Sequence, residues 1–295
     1  MKKEDYLLQD KNILNITKDV FLDTFDNTWF ANFSDKTIRK FTILPDEEGV
    51  GVEDDGLISY EYNDEYFRCD EFKEQHWGKH ILFAGCSQTE GVGGNIEDIW
   101  TKMMNDKIYD SDGFYTIARS GFGWQKVITN FMVYIKKYGT PDYLFVLLPN
   151  VSRYFSWFND GKHFKYDQRY PEYYMSDLEN PSRSHLISPE EYKKDLIDFK
   201  VSWNLFEKFC NNLNIKMIWS TWDELDAENI EFMGNWNNFI NVTNQKDFLL
   251  FIDEYYKTNK IREDDMKRRD HHYGTVYNKY WAKRFYEEAD KRWGI

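Results

Sequence analysis

The sequence predicts a three-layer α/β domain built on a parallel sheet, and three observations carry that prediction. Short apolar runs, ILFAG (Ile81 to Gly85), DYLFVLLPN (Asp142 to Asn150) and IKMIWSTW (Ile215 to Trp222), read as strands buried on both faces. From His80 onward such runs alternate with amphipathic segments of helical period, the pattern of a sheet covered by helices on either side. Clear stop and start signals separate them, and no internal repeat or low-complexity tract breaks the rhythm.

Residues 1–78 lack a sustained period of either kind and contain the acidic, glycine-bearing stretch Asp46 to Gly56. They are expected to form an irregular N-terminal arm or small β-rich lobe, leaving 79–295 as the α/β domain. After the ILFAG strand, Ile96 to Ile108 reads as a helix with Ile99, Trp100 and Met103 inward. YTIAR (Tyr115 to Arg119) follows as a strand, then a helix from about Trp124 to Tyr138 and the DYLFVLLPN strand. Residues 151–187 form a first insertion, irregular and aromatic. Placed after a strand's carboxyl end, it falls on the ligand face of such a sheet. A helix starts at Ser188, where Pro189 and Glu191 complete a capping box. Its inward residues run from Tyr192 to Leu213 at helical spacing, which makes Cys210 a packing residue. IKMIWSTW is the fourth strand, 223–262 a second irregular insertion, and Val276 to Trp293 the closing helix.

Composition narrows the function classes. A chain of 295 residues with 41% hydrophobic content can bury one large core or two modest ones. Its formal net charge of -13 repels phosphate backbones, and the cluster Lys267, Arg268, Arg269 is too short to reverse that, so no nucleic-acid partner is expected. No apolar run approaches the roughly 20 residues that span a bilayer. The opening MKKEDYLLQDKN places acids where a signal peptide needs an apolar stretch, so no membrane association and no secretion by a signal peptide are expected. Cys69, Cys86 and Cys210 lie too far apart for a disulfide framework or a metal-ligand spacing, and no metal or cofactor is called for. The 19% aromatic content suits carbohydrate or protein surfaces, because Trp and Tyr offer a flat apolar face with a polar edge.

The segment ILFAGCSQTEGVGG carries the chemistry. Ser87 falls on a strand-to-helix turn, which lifts its hydroxyl from the carboxyl edge of the sheet above the next helix's N-terminal dipole. Cys86 is expected to pack inward, since adjacent residues there face opposite ways, and Thr89 and Glu90 read as capping and dipole partners. With this block, the segments SYEYNDEYFRCDEF, PDYLFVLLPNVSRY and DHHYGTVYNKYWA fall in an order that resembles the SGNH/GDSL hydrolase family. The similarity is to its phage-type branch, where Gly-Cys-Ser-x-Thr-x-Gly replaces Gly-Asp-Ser, and it covers about 60–150 and 190–295.

That resemblance implies a flavodoxin-like sheet order and serine ester hydrolysis. Ser87 is then the nucleophile. The oxyanion donors are the backbone N–H groups of Ser87 and of Gly121 in SGFGW, with the side-chain amide of Asn150, which stands one residue earlier than the family's Gly-x-Asn-Asp spacing places it. Aligning Tyr273, Gly274, Trp281 and Ala282 with the family's final block selects His272 over His271 as base and Asp270 as its orienter. The Asp-His separation is one residue short of Asp-x-x-His, so Asp264, Asp265 or a backbone carbonyl stay open for the orienting role. Tyr154, Trp157 and Phe158 are the expected substrate contacts. A small acyl ester, an O-acetyl group on a carbohydrate, is favoured over long lipid because no broad apolar lid appears. The competing reading is a catalytically silent SGNH-like module serving as a phage structural or host-surface glycan-binding protein. A cytoplasmic or virion-associated location follows, with other virion proteins as candidate partners.

Overall fold

The computed structural model describes residues 40–43, 58–157, 164–171, 185–234, 236–257 and 272–295. Its centre is a four-stranded parallel sheet of β3 (Ile81–Gly85), β4 (Tyr115–Thr116), β5 (Tyr143–Leu148) and β9 (Lys216–Thr221), in the order β4-β3-β5-β9. Numbered along the chain, that is 2-1-3-4, the flavodoxin-like order that the family resemblance implies. Register is unambiguous: Leu82 pairs with Leu144 and Val146 with Trp219.

Two separate cores explain why the strands are apolar throughout. Leu82, Ala84, Leu144, Val146, Leu148, Met217 and Trp219 point to one face. Ile81, Phe83, Tyr143, Phe145, Leu147 and Ile218 point to the other. Because side chains alternate across a strand, continuous apolarity means that both faces are covered. The first face is covered by α3 (Trp124–Tyr138), α4 (Pro189–Asn212) and α5 (Glu224–Met233), with Phe199 and Trp203 packed against Trp219. The second carries α2 (Trp100–Asn105), α6 (Gln245–Tyr256) and α7 (Thr275–Trp293), where Trp100 stacks on Phe285 with ring centroids 4.7 Å apart. α4 begins with the expected capping box, in which Ser188 and Glu191 exchange side-chain and backbone hydrogen bonds. No helix among the described residues is long and apolar enough to cross a membrane.

Several expectations need correction. The helix expected over 96–108 is a 3-10 turn, Ile96–Asp98, followed by the shorter α2, and Met104 replaces Met103 as the buried methionine. β4 keeps only two of the five residues assigned to it. The described residues of the insertion 151–187 include strands: β6 (Arg153–Trp157) pairs antiparallel with β7 (Phe164–Pro171), which pairs in parallel with β8 (His185–Ile187). In β7 the alternation from Phe164 to Asp167, aromatic then charged, is a strand signal. The insertion 223–262 holds α5 and α6, each started by an N-cap side chain, Asp223 or Asn244. Of the amino-terminal segment, β1 (Lys40–Ile43) pairs antiparallel with β2 (Ile58–Glu61). Phe67 is fully buried in the first core, and Phe72 meets Tyr134 edge-on at 5.0 Å.

At the amino edge of the sheet His80 is buried, with its ring stacked on His76 at 3.5 Å and its Nε2 sharing a 2.7 Å hydrogen bond with the Tyr134 hydroxyl. Burial, then the neighbouring His76, lowers its pKa to about 3, against the opposing pull of Asp112. The unfolded chain therefore binds a proton between pH 6.5 and about 3 that the folded chain does not, and stability drops as pH falls through that window. His80→Gln keeps a polar partner for Tyr134 and removes this titration. The urea midpoint of the variant should fall less than that of the wild type between about pH 6.5 and 4.5; equal slopes would dismiss His80 as a contributor.

Candidate active site

The strand order places the turn after β3, which carries Ser87, between the segment that leaves β4 toward Gly121 and the one that leaves β5 toward Asn150. Ser87 opens α1 (Ser87–Glu90), a single turn with Cys86 as its N-cap. At one turn this helix has little macrodipole, so the dipole expected beneath Ser87 is a minor contribution. The turn is compact because Gly85 admits close neighbours: a Cβ there would meet Thr89 Oγ1 at 2.1 Å and the Leu147 carbonyl oxygen at 2.5 Å. Thr89 is not a cap, and its hydroxyl donates to that same carbonyl at 3.4 Å. Glu90 is the helix's last residue and, in so short a helix, still the acid of its first turn; it is buried and ion-paired to Arg119 at 3.3 Å.

Ser87 is 6% exposed, and its Oγ contacts Cys86 Sγ at 4.0 Å. Cys86 is fully buried, as expected, and its sulfur accepts a 3.3 Å hydrogen bond from Trp222 Nε1. That bond runs from the end of β9 across β5 to the end of β3. Gly121 occupies the third position of a turn closed by Phe122 N donating to Arg119 O at 3.2 Å. Its φ of 85° is the value that such a position reserves for glycine.

Asn150 has a defined orientation. Its Oδ1 accepts from Ser152 N at 2.8 Å while its Nδ2 donates to Asp223 Oδ2 at 3.1 Å. With one amide proton so engaged, the second is fixed in direction. Asp223 itself caps α5 through Asp226 N, and Asp226 accepts from Val151 N at 2.6 Å and from the Tyr192 hydroxyl. Burial, reinforced by Asp223, pushes the Asp226 carboxyl well above the usual range. These acids lie within the WDELDAE stretch, Trp222 to Glu228. Asp223 three residues before Asp226 at the end of a strand is the same capping signal that identifies Ser188, and it was legible in the sequence.

His272 immediately precedes Tyr273, whose ring lies 6.2 Å from that of Trp222. The segment leading into α7 therefore reaches the edge that holds Cys86 and Ser87. His272 is half-buried, with its Nδ1 turned inward. Asp270, His271, Asp264, Asp265 and Phe158 lie outside the described residues. Tyr154 and Trp157 are on β6, opposite Asp167 and Phe164 of β7. Among the described residues no group of three or more His, Cys, Asp or Glu is disposed to hold a metal ion.

No family model matches the chain, and neither does any curated protein sequence. Among solved structures, the chain is similar to a member of the lipolytic protein G-D-S-L family from Veillonella parvula DSM 2008, at 12% identity and a TM-score of 0.37 over 70% of this chain and 96% of that one. A putative lipolytic protein of the G-D-S-L family from Desulfitobacterium hafniense DCB-2 gives 12% identity and a TM-score of 0.40 over 70% and 99%. A family two carbohydrate esterase from Clostridium thermocellum, solved with cellohexaose, gives 13% and 0.39 over 75% and 66%.

The packing around Gly85 yields a stability prediction. Gly85→Ala forces its methyl against the Leu147 backbone, which cannot swing aside, so equilibrium urea unfolding should show a loss of about 1–3 kcal/mol. A wild-type midpoint would mean that β3 and β5 are not this close.

Proposed function

We propose that the chain is a serine ester hydrolase of SGNH/GDSL type, of the phage-type Gly-Cys-Ser-x-Thr-x-Gly branch. The observation that carries this reading is the pre-oriented amide of Asn150 after β5 and the positive-φ turn of Gly121 after β4, the two strands that flank the one leading to Ser87. Ester hydrolysis needs a nucleophile flanked by donors whose directions are set before the reaction, because donors that must reorganise give back much of what they stabilise.

In this mechanism Ser87 Oγ attacks the ester carbonyl carbon while His272 takes the hydroxyl proton. The oxyanion that develops is held by the N–H groups of Ser87 and Gly121 and by the remaining Nδ2 proton of Asn150. His272 then protonates the departing alkoxide, leaving an acyl-serine. Water attacks that ester with His272 again as base, which releases the carboxylic acid and restores Ser87. Asp270, two residues earlier in the sequence, is the candidate orienter of His272. The small exposure of Ser87 suits a short acyl group such as acetyl. Tyr154, Trp157 and Phe158, on or next to a strand that starts three residues after Asn150, would stack on the sugar that bears it.

A fluorophosphonate probe should label the protein once, and Ser87→Ala should abolish both labelling and turnover of p-nitrophenyl acetate. His272→Ala should lower kcat by several powers of ten and His271→Ala far less, while Asn150→Ala should cost about 100- to 1000-fold in kcat. Turnover unchanged in Ser87→Ala would remove the Ser87 hydrolase reading, and turnover at the uncatalysed rate in the wild type as well would favour a silent binding module.

A further inference from the structure

Glu90 is 3% exposed, and burying a carboxylate is costly unless donors converge on it. Here three do. Ser120 N donates to Oε2, the Tyr62 hydroxyl donates to Oε1 at 3.1 Å, and the Arg119 guanidinium lies 3.3 Å from Oε1. Two of the three belong to the turn that carries Gly121, and Glu90 itself belongs to the helical turn that starts at Ser87. The β3–β4 ladder ends with Ile117 N donating to Phe83 O, four residues short of Gly121. Beyond that point, the carboxylate of Glu90 is what couples the Gly121 turn to the Ser87 turn.

Resting on the hydrolase reading above, we propose that Glu90 is a positioning residue: through Ser120 N–H it holds the Gly121 amide in register with Ser87. The amino-terminal segment braces the same device. Arg119 donates to Tyr66 O at 2.9 Å and lies over the Tyr62 ring at 4.4 Å. Arg68, 1% exposed, donates to Gly91 O at 2.8 Å and Gly94 O at 2.9 Å, while Gly93 N donates to the Tyr60 hydroxyl at 2.6 Å. The loops on both sides of Ser87 are thereby tied to residues 60–68.

The test compares Glu90→Ala, Glu90→Gln and the wild type in p-nitrophenyl acetate kinetics and in the backbone amide NMR signals of Ser120 and Gly121. Glu90→Ala should lower kcat about 100-fold, the scale of a misplaced catalytic group, with KM changed by less than about threefold. Glu90→Gln, whose amide oxygen can still accept from Ser120, should recover to within about tenfold of wild type. The Ser120 and Gly121 amides should shift and lose exchange protection in the Ala variant and keep both in the Gln variant. If the Ala variant does not fold, Glu90→Asp, one methylene too short to reach Ser120, takes its place with the same expected loss. Wild-type kcat and unmoved Ser120 and Gly121 amides in Glu90→Ala or Glu90→Asp would overturn the proposal and leave the hydrolase reading standing. Turnover insensitive to Ser87→Ala would instead overturn that reading, while the amide signals still decide whether Glu90 holds the turn.

Discussion

β3 is the element on which the rest of the structure depends. Its first four residues, Ile81 to Ala84, are fully buried and divide between the two cores, and its backbone pairs with both β4 and β5. Each large apolar side chain so buried contributes about 1.5–3 kcal/mol, and both cores draw on this one strand. Its end point is therefore fixed by packing from both faces and by hydrogen bonds from both sides. Gly85 closes the strand against Leu147, and the next two residues, Cys86 and Ser87, inherit that rigidity.

Where the strands end, the interior changes from apolar to polar. Asn150, Asp223, Asp226, Tyr192 and Ser152 are buried, and the hydrogen bonds among them join the end of β5 to α4 and α5. Buried polar networks are costly when half-satisfied and directional when complete. This one fixes the Asn150 amide in a single orientation, an outcome that an apolar core of the same volume would not provide. Trp222 adds a second crossing by bonding to the sulfur of Cys86, so that Cys86 both fills space and accepts a hydrogen bond. A smaller or purely apolar residue there would leave the indole N–H without that acceptor.

The amino-terminal segment contributes in kind. Phe67 supplies core, whereas Tyr62 supplies a donor to Glu90, Arg68 donors to the carbonyls of Gly91 and Gly94, and Tyr60 an acceptor for the Gly93 N–H. An arginine 1% exposed, lying 4.2 Å from the Tyr60 ring centroid, donates to the carbonyl oxygens of the buried Gly91 and Gly94. The polar surroundings of Ser87 are thus assembled from residues 60–68, 85–94, 119–123, 150–153 and 222–226, five stretches separated along the chain.

Local pattern was sufficient for the parts of the fold with local causes. The apolar runs of β3, β5 and β9, the Ser188–Pro189–Glu191 start of α4 and the period of α3 and α7 each follow from neighbouring residues, and the sequence by itself determined them along with the parallel sheet they imply. The Gly-Cys-Ser block likewise determined that Ser87 lies on a strand-to-helix turn, because Gly85 and the apolar run before it leave few other conformations. What the sequence misassigned had weaker local signals: β6 and β7 mix aromatic with polar and charged residues instead of forming an apolar run, and α5 and α6 are short helices that sit behind single-residue caps. Only the tertiary structure decided that Asp223 orients Asn150, 73 residues apart, that Trp222 bonds to Cys86 across 136 residues, and that Glu90 binds Ser120 and Tyr62. The physical reason is that a buried hydrogen bond is set by which strand ends meet at the sheet's edge, and that adjacency is a property of the strand order, which no single segment encodes.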